Sequence, residues 1–375
     1  MERVLILSMG FGTGHNAAAR ALVKEFQGTA GIDVRMIDLL HLIPGKSHPY
    51  LQSGYNQMLI KFPRVYHYLY GWTYQSRVIR YVSGELIEKI GWTIRKKLSS
   101  LLREWQPTRI VATHPFSLLL IPTKWRQLPT IGVMTDYELH PLWLVQPPKV
   151  LCVPKGIVDQ AHLDRIRWQI GCRIIETGIP TDSVFSKRVP KQTARERLGL
   201  ATEEPVVLVM GGGLGLGPLD GIVSEISCTD RPLQVIVLTG KNEDLYEKLI
   251  EKNYGPHIQI KRYRKDISLL MDAADLLITK PGGLTIAEAM VKQLPMLLFT
   301  PLPGHEQANQ EYLLFHRVAD VIHSGSAYQQ VIALLDNETI RKRMQYYQSK
   351  LAVADAAKRI KEETLRLDVP RYFVL

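Results

Sequence analysis

Short, almost continuous apolar runs alternate with helical stretches along the first half of the chain. Six of these runs predict strands, at 3–8, 33–39, 109–114, 130–136, 149–154 and 173–178. Apolar strands separated by helices are typical of a parallel sheet that is covered on both faces. We therefore expect this half to be a doubly wound α/β domain.

The pattern breaks at Pro180 and Pro190 and then restarts, which indicates a domain boundary. Five more apolar runs follow, at 206–213, 233–240, 258–264, 275–283 and 295–304, and a helical pattern runs from about Glu338 to Leu367. We expect a first domain over 1–180, a second α/β domain over 181–340, and a helical segment over 341–375. Two such domains bind ligands in the cleft between them, beyond the carboxyl ends of their strands.

Composition narrows the protein class. An apolar content of 46% fits a globular protein, and no apolar run approaches the ~18 residues of a membrane-spanning helix. The first residues lack the long apolar core of a signal peptide. Three scattered cysteines, Cys152, Cys172 and Cys228, are too few for a disulfide framework or a zinc site. These features predict a cytoplasmic setting.

The net charge of +11 is concentrated in one segment. Residues 41–110 hold eleven Lys and Arg against three acids, together with eleven of the thirty aromatic residues. Such a segment indicates either nucleic acid or an anionic membrane surface as partner. Within it, one helical face either meets the membrane or packs against the first domain; its residues are Leu86, Ile90, Ile94, Leu98, Leu101 and Leu102.

The first glycine-rich loop, "GFGTGH", places glycines at positions 10, 12 and 14 and a histidine, His15, at a helix start. The spacing departs from the G-x-G-x-x-G dinucleotide fingerprint, although Asp38 follows at a suitable distance, so that interpretation stays open beside a plain tight turn. A histidine there can take a proton from an attacking hydroxyl, or it can simply cap the helix.

The second domain carries two stronger polar loops and one weaker one. "TKPGGLTIAEAM" (279–290) brings a Pro-Gly-Gly turn and a helix start to an anion, and Glu288 can accept hydrogen bonds from ribose hydroxyls. "PLPGHEQANQEYL" (301–313) follows the next strand, and "GGGLGLGP" (211–218) offers backbone amides to a phosphate. Ordinary turns are the alternative. Lys280 either contributes to an anion site or is a solvated surface charge.

Together, the motifs "GFGTGH", "VMTDYELHPLWL" (133–144), "TGIPTDSVF" (177–185) and the two long loops of the second domain resemble glycosyltransferase family 28. Its members include processive diacylglycerol glucosyltransferases and monogalactosyldiacylglycerol synthases. The resemblance implies the GT-B fold, with two Rossmann-like doubly wound α/β domains facing a central cleft and the C-terminal helical segment crossing back to the first domain. It also implies a lipid acceptor on the first domain, a UDP-sugar on the second, inversion at the anomeric carbon, no cofactor and no obligatory metal.

By position, the resemblance gives His15 as the candidate base, with Asp136 as the second choice. His140 and Trp143, with Thr135 nearby, are expected to line the acceptor side. The loops and the resemblance together predict a donor-binding set: Gly14, Gly212, Gly213, Lys280, Pro281, Gly282, Gly283, Leu284, Thr285, Glu288, Gly304, Glu306, Gln307 and Asn309. The chain departs from the family pattern in two loops. The first reads "MGFGTGH", where relatives commonly have a small residue and an aromatic before "GNGH" or "GGGH", and in the last, His305 replaces a common glutamine and Gln307 a common acid.

The expected partners are UDP-glucose or UDP-galactose, diacylglycerol and anionic lipids, at the cytoplasmic face of the membrane and without a spanning segment. Nucleic acid is not expected, because it explains the charge but not the paired loops of the second domain. Two alternatives remain. One is an enzyme of the same fold on another acceptor, such as an N-acetylglucosaminyl transferase or a UDP-sugar 2-epimerase. The other is a non-catalytic protein that senses UDP-sugars.

Overall fold

The computed structural model describes residues 1–10, 12–43, 77–157, 165, 169–229, 231–301 and 304–369, with the backbone alone for 77–90. The chain forms two compact units. The first contains Met1–Asp182, Pro303–His305 and Asp355–Leu375, and the second contains Ser183–Leu302 and Glu306–Ala354.

A six-stranded parallel sheet forms the centre of the first unit, in the order β2-β1-β3-β4-β5-β6. Each strand lies within a predicted apolar run or extends it by one residue. The strands are β1 (Glu2–Ser8), β2 (Ile32–Asp38), β3 (Arg109–Ala112), β4 (Thr130–Val133), β5 (Val150–Val153) and β6 (Arg173–Glu176).

Alternate residues of β1 enter two separate cores, which is what a doubly wound sheet requires. Val4 and Ile6 pack with helix α1 (Gly14–Gln27) and with Ile360 of the last helix. Leu5 and Leu7 pack on the other face, against helix α2 (Arg77–Trp105). Helix α3 (Pro115–Leu119) follows β3. The predicted fold of this unit is confirmed.

The second unit has its own six-stranded parallel sheet, in the order β12-β11-β10-β7-β8-β9. Five strands match the predicted runs: β7 (Val206–Met210), β8 (Gln234–Leu238), β9 (Ile258–Lys261), β10 (Leu276–Thr279) and β11 (Met296–Leu298). The sixth, β12 (Asp320–Val321), is two residues long, too short to leave a pattern in the sequence.

Helices cover this second sheet. In chain order they are α4 (Lys191–Leu198), α5 (Leu219–Ile226), α6 (Glu243–Glu251), α7 (Ile267–Ala273), α8 (Gly283–Lys292), α9 (His305–Phe315), α10 (Ala327–Asp336) and α11 (Glu338–Leu351).

The helical pattern predicted from about Glu338 to Leu367 consists of two helices. Helix α11 ends at Leu351, Ala352 is extended, and α12 (Ala356–Arg366) begins after the link. Buried Val353 interrupts the helix, and the unit boundary falls between Ala354 and Asp355. The segment 341–375 is therefore divided, because α11 belongs to the second unit and α12 to the first.

Helix α2 directs its apolar face into the first unit. Ile94, Leu98 and Leu102 are at most 4% exposed and belong to the core beneath the sheet. The prediction that this face meets a membrane is therefore wrong for these residues, because the domain core already covers them. The side chains of Leu86 and Ile90 lie outside the described part. In the part of the chain that the structure describes, no helix is long and apolar enough to cross a bilayer.

The burial of this face predicts a large loss of stability when Leu98 is truncated. Leu98→Ala removes a fully buried side chain, so we expect the free energy of unfolding of the first unit to fall by ~2–5 kcal/mol. Urea unfolding followed by tryptophan fluorescence measures it. Val145→Ala, at a 46% exposed valine of the same unit, is the control and should cost about 0.5 kcal/mol or less. Equal, small losses in both variants would contradict the packing of α2.

Candidate active site

The first group of polar residues lies at the carboxyl edge of the first sheet. Strands β2, β1, β3 and β4 are neighbours there, and their ends lead into Asp38, the glycine loop, Thr113 and Thr135 in turn. Residues far apart in sequence meet because parallel strands all end at one edge.

His15 is fixed through its Nδ1 atom. This atom lies 3.0 Å from the carbonyl oxygen of Thr113 and 2.8 Å from Oγ1 of Thr135. Because a carbonyl oxygen only accepts, Nδ1 carries the proton and donates it to Thr113, and the Thr135 hydroxyl shares it as a second acceptor. The neutral ring then has its lone pair on Nε2, the atom that can receive a proton.

The surroundings of His15 favour this neutral form. Burial lowers the pKa of His15 below its usual value of 6.5, which outweighs the opposing effect of the nearby Asp136 carboxylate and the Thr113 hydrogen bond. A histidine that is uncharged near neutral pH is available as a base. The structure thus brings together the two candidate bases named from the sequence.

Two further histidines stand at this edge, each capping a short helix. Nδ1 of His114 accepts from Phe116 N at 3.2 Å, and Nδ1 of His140 accepts from Leu142 N at 3.2 Å. Burial lowers the pKa of His140 to about 4, and it lowers the pKa of His114 well below 6.5. Both rings are therefore neutral, with their protons on Nε2.

His114 was not predicted from the sequence. Its ring meets the His15 ring edge-on, with the centroids 4.6 Å apart. Its position directly after a buried strand, beside Thr113, could have indicated from the sequence that His114 lies at the site.

Trp143 differs from the prediction. Its side chain is 4% exposed and belongs to the core of the first unit, packed over Gly132, where an added Cβ would lie 2.9 Å from the ring. It is a core side chain and not an exposed contact for an acceptor.

Asp38 does not have the arrangement of a ribose-binding acid in a dinucleotide site. Its carboxylate accepts from Gly10 N and Leu40 N at 3.1 Å each and from Asn16 Nδ2 at 2.8 Å. These bonds lie within the protein, so the dinucleotide interpretation of the first loop is not supported.

The second group of polar residues lies at the carboxyl edge of the second sheet. The loop after β7 turns tightly: Gly212 has a φ of +70°, and the carbonyls of Gly211 and Gly212 accept from Leu216 N and Gly215 N. Among the described residues, no acceptor meets the N–H groups of Gly212, Gly213 and Leu214. Backbone amides arranged in this way suit an anion.

The start of α8 offers a second set of backbone donors. Gly282 precedes the helix without a side-chain cap, and the N–H groups of Gly283, Leu284 and Thr285 have no acceptor among the described residues. Glu288 lies four residues beyond Leu284, one turn along the same face. This is the layout expected from the sequence for a nucleotide.

Lys280 lies beside the glycine loop that follows β7 and pairs with a residue of α9. It is therefore not the solvated surface charge considered in the sequence analysis. Its side chain is 19% exposed, and its Nζ forms an ion pair with Glu306, whose side chain is 2% exposed. A Cβ at Gly212 would lie 3.1 Å from Lys280 Cε, so the lysine passes directly beside the glycine loop.

Two predicted donor residues act here as supports of the Pro-Gly-Gly turn. Asn309 is fully buried and donates from Nδ2 to the Pro281 carbonyl at 2.9 Å. Glu306 holds Lys280 from the same helix. Gln307, by contrast, is exposed and donates to Glu311, so the structure does not bring it to this group.

Of the remaining predicted residues, Gly14 begins α1, and Gly304 has a φ of +99° directly before α9. No cluster of three or more His, Cys, Asp or Glu suited to a metal ion occurs among the described residues.

Comparison with known proteins agrees with this architecture. Residues 15–180 match the family described as monogalactosyldiacylglycerol (MGDG) synthase, and residues 206–364 match the glycosyltransferase family 28 C-terminal domain. A processive diacylglycerol beta-glucosyltransferase from Bacillus cereus (strain AH187) is 30% identical, over 86% of this chain and 83% of the relative.

Solved structures with the same fold are more distant in sequence. MurG from Acinetobacter baumannii aligns with a TM-score of 0.63 at 14% identity, covering 98% of this chain and 100% of MurG. HepE from Anabaena, solved in complex with UDP-glucose, aligns with a TM-score of 0.55 at 16% identity, covering 98% of this chain and 100% of HepE. The shared fold is GT-B. With this fold and these matches over both units, the chain belongs to glycosyltransferase family 28, among the diacylglycerol glycosyltransferases.

Proposed function

We propose that this protein transfers a glucosyl residue from UDP-glucose to diacylglycerol at a membrane surface, with inversion at the anomeric carbon. The observation that carries the proposal is the pair of contacts that His15 Nδ1 makes with the Thr113 carbonyl and the Thr135 hydroxyl, from which we assign the proton to Nδ1 and the lone pair to Nε2. Family membership supports a hexosyl donor and diacylglycerol as the acceptor. The name of the Bacillus cereus relative favours glucose over galactose.

The acceptor step uses the first unit. The diacylglycerol hydroxyl oxygen forms a bond to the anomeric carbon while its proton passes to His15 Nε2. The bond between the anomeric carbon and the β-phosphate oxygen breaks, and UDP leaves with that electron pair. Attack from the face opposite to the leaving group inverts the configuration. A neutral base is required, and the lowered pKa of His15 supplies one at neutral pH.

The donor step uses the second unit. The backbone amides of Gly212–Leu214 and Gly283–Thr285 stabilise the charge that develops on the diphosphate, together with the Lys280 ammonium. Glu288 accepts hydrogen bonds from the ribose hydroxyls. Glu306 and Asn309 hold this loop in place from α9. The proposal includes no obligatory metal.

The outer face of α2 supports the membrane part of the proposal. Trp92 is 64% exposed, Lys96 Nζ lies 5.3 Å from the Trp92 ring centroid, and Arg103 is exposed on the same helical face. Indole rings favour the headgroup level of a bilayer, and basic side chains attract anionic lipid. We assign membrane docking to this exposed face of α2, which lies opposite to the face that packs into the core.

Two alternatives remain as outcomes of the tests. The GT-B fold also occurs in enzymes with other acceptors, so turnover without diacylglycerol would indicate one of them. A non-catalytic UDP-sugar sensor would bind the donor without turnover, and it would give no reason for the way His15 is held.

The first test of the proposed function concerns His15. Because it accepts the hydroxyl proton, His15→Ala should lower the transfer rate by about 10²- to 10⁴-fold. UDP binding, measured by calorimetry, should stay unchanged because the donor loops belong to the second unit. His323→Ala, at an exposed histidine, is the matched control and should keep full activity. Full activity of the His15 variant would remove it as the base.

The second test separates His15 from Asp136 through the pH dependence of kcat/KM for diacylglycerol. His15 acts when deprotonated, so activity should be complete at pH 7 and be lost as the pH falls below 6.5. The Asp136 carboxylate raises the pKa of His15, so Asp136→Asn should move this acid limb to lower pH and retain turnover. Loss of turnover at every pH would instead make Asp136 the base.

The third test concerns docking. The double variant Trp92→Ala, Lys96→Gln should bind vesicles containing anionic lipid about tenfold more weakly, since one basic residue contributes ~1 kcal/mol and the indole adds to it. Vesicle sedimentation measures this binding. The matched control, Tyr346→Ala with Lys350→Gln, removes a similar exposed pair from α11 and should bind normally. Equal binding of both variants would contradict docking through α2.

A further inference from the structure

One buried carboxylate connects both ends of the first glycine loop. Asp38 ends β2, beside Ser8 at the end of β1, and the residue is 8% exposed. Its Oδ1 accepts from Gly10 N, at the first residue of the loop, and its Oδ2 accepts from Asn16 Nδ2, directly after the loop. A shift of either end of the loop therefore breaks a hydrogen bond to the same side chain.

Asn16 extends this arrangement to β1. Ser8 Oγ donates to Asn16 Oδ1 at 2.6 Å, while Asn16 Nδ2 donates to Asp38 at 2.8 Å. The two bonds together fix which way the amide is turned. Gly10 completes the packing, because an added Cβ would lie 2.5 Å from Asp38 Oδ2 and 2.9 Å from Asn16 Nδ2.

These contacts replace the usual cap of α1. The Thr13 side chain makes no capping hydrogen bond, so nothing at the N-cap position fixes where the helix begins. Asn16 is the third residue of the helix and directly follows His15. The first turn of α1, and His15 with it, is therefore held from the side by Asp38.

We propose that Asp38 is a positioning residue for His15, acting through Asn16 and the backbone of Gly10. The inference rests on the proposed function, in which His15 accepts the hydroxyl proton. His15 reaches two acceptors through one atom, at 3.0 and 2.8 Å, and such contacts do not survive a displacement of about 1 Å.

The test exchanges the two side chains. Asn16→Asp alone places two carboxylates opposite each other where the 2.8 Å hydrogen bond now lies. We expect kcat to fall by ~10²-fold, the size of effect that a displaced catalytic group produces. KM for UDP-glucose should stay within about twofold, since the donor loops are untouched.

Adding Asp38→Asn should restore the pairing. The amide nitrogen introduced at position 38 can donate to the carboxylate introduced at position 16. The amide oxygen at position 38 can still accept from the backbone N–H groups of Gly10 and Leu40. The Ser8 hydroxyl can still donate to the side chain at position 16. We expect kcat of the double variant to return to within about threefold of the wild type. A single variant with normal kcat, or a double variant without recovery, overturns the proposal.

A second readout separates this proposal from the proposed function. Nitrogen-15 NMR of the His15 ring reports the tautomer without any turnover. We expect the Nδ1–H form in the wild type, a mixture of tautomers in Asn16→Asp, and the Nδ1–H form again in the double variant. An unchanged ring signal in Asn16→Asp overturns positioning by Asp38, whereas absence of transfer in the wild type overturns only the proposed function.

Should Asn16→Asp fail to fold, Ser8→Ala provides a milder test of the same network. It removes only the hydrogen bond to Asn16 Oδ1. We expect a severalfold loss of kcat and a partial mixture of His15 tautomers, with the melting temperature close to that of the wild type. A normal kcat together with a single Nδ1–H tautomer overturns the proposal.

Discussion

The hydrogen bond from His15 Nδ1 to the Thr113 carbonyl is the interaction on which the proposed chemistry depends, since it determines which ring nitrogen keeps the lone pair. It forms because β1 and β3 are adjacent parallel strands whose ends lie at one edge of the sheet. The carboxylate of Asp38, from β2 on the other side of β1, steadies the same helix start. With Thr135, which follows β4 and lies 2.8 Å from the same Nδ1 atom, residues at four neighbouring strand ends surround one imidazole.

In the second unit, too, polar residues meet at the carboxyl ends of neighbouring parallel strands. Strands β11, β10 and β7 are neighbours. An ion pair and an amide hydrogen bond join the segments that follow β10 and β11, and Lys280 passes beside the glycine loop that follows β7. Burying Lys280 and Glu306 costs desolvation, and removing either partner would leave the other charge buried and unpaired. The result is a set of backbone amides held beside Lys280, which suits the diphosphate binding that we propose for this unit.

The sequence predicts the strands well where they are buried on both faces and apolar throughout, as in β5 and β7. Strand β12 was missed because it is only two residues long. It predicts less well what covers a surface: the apolar face of α2 suits a membrane or a protein core equally, and only the packing of Leu98 decides. Lys280 and Asp38 were undecided for another reason. Their partners are 26 residues away at Glu306 and 28 away at Gly10, so the contacts depend on strand order.

UDP release by the wild-type protein tests the central claim most directly. It is measured with UDP-glucose and with UDP-galactose, each with and without diacylglycerol in anionic vesicles. Our account predicts release that requires diacylglycerol and is much faster with UDP-glucose. Release without diacylglycerol, or no release with either donor, would contradict it, and lipid-dependent release with UDP-galactose alone would contradict the choice of sugar.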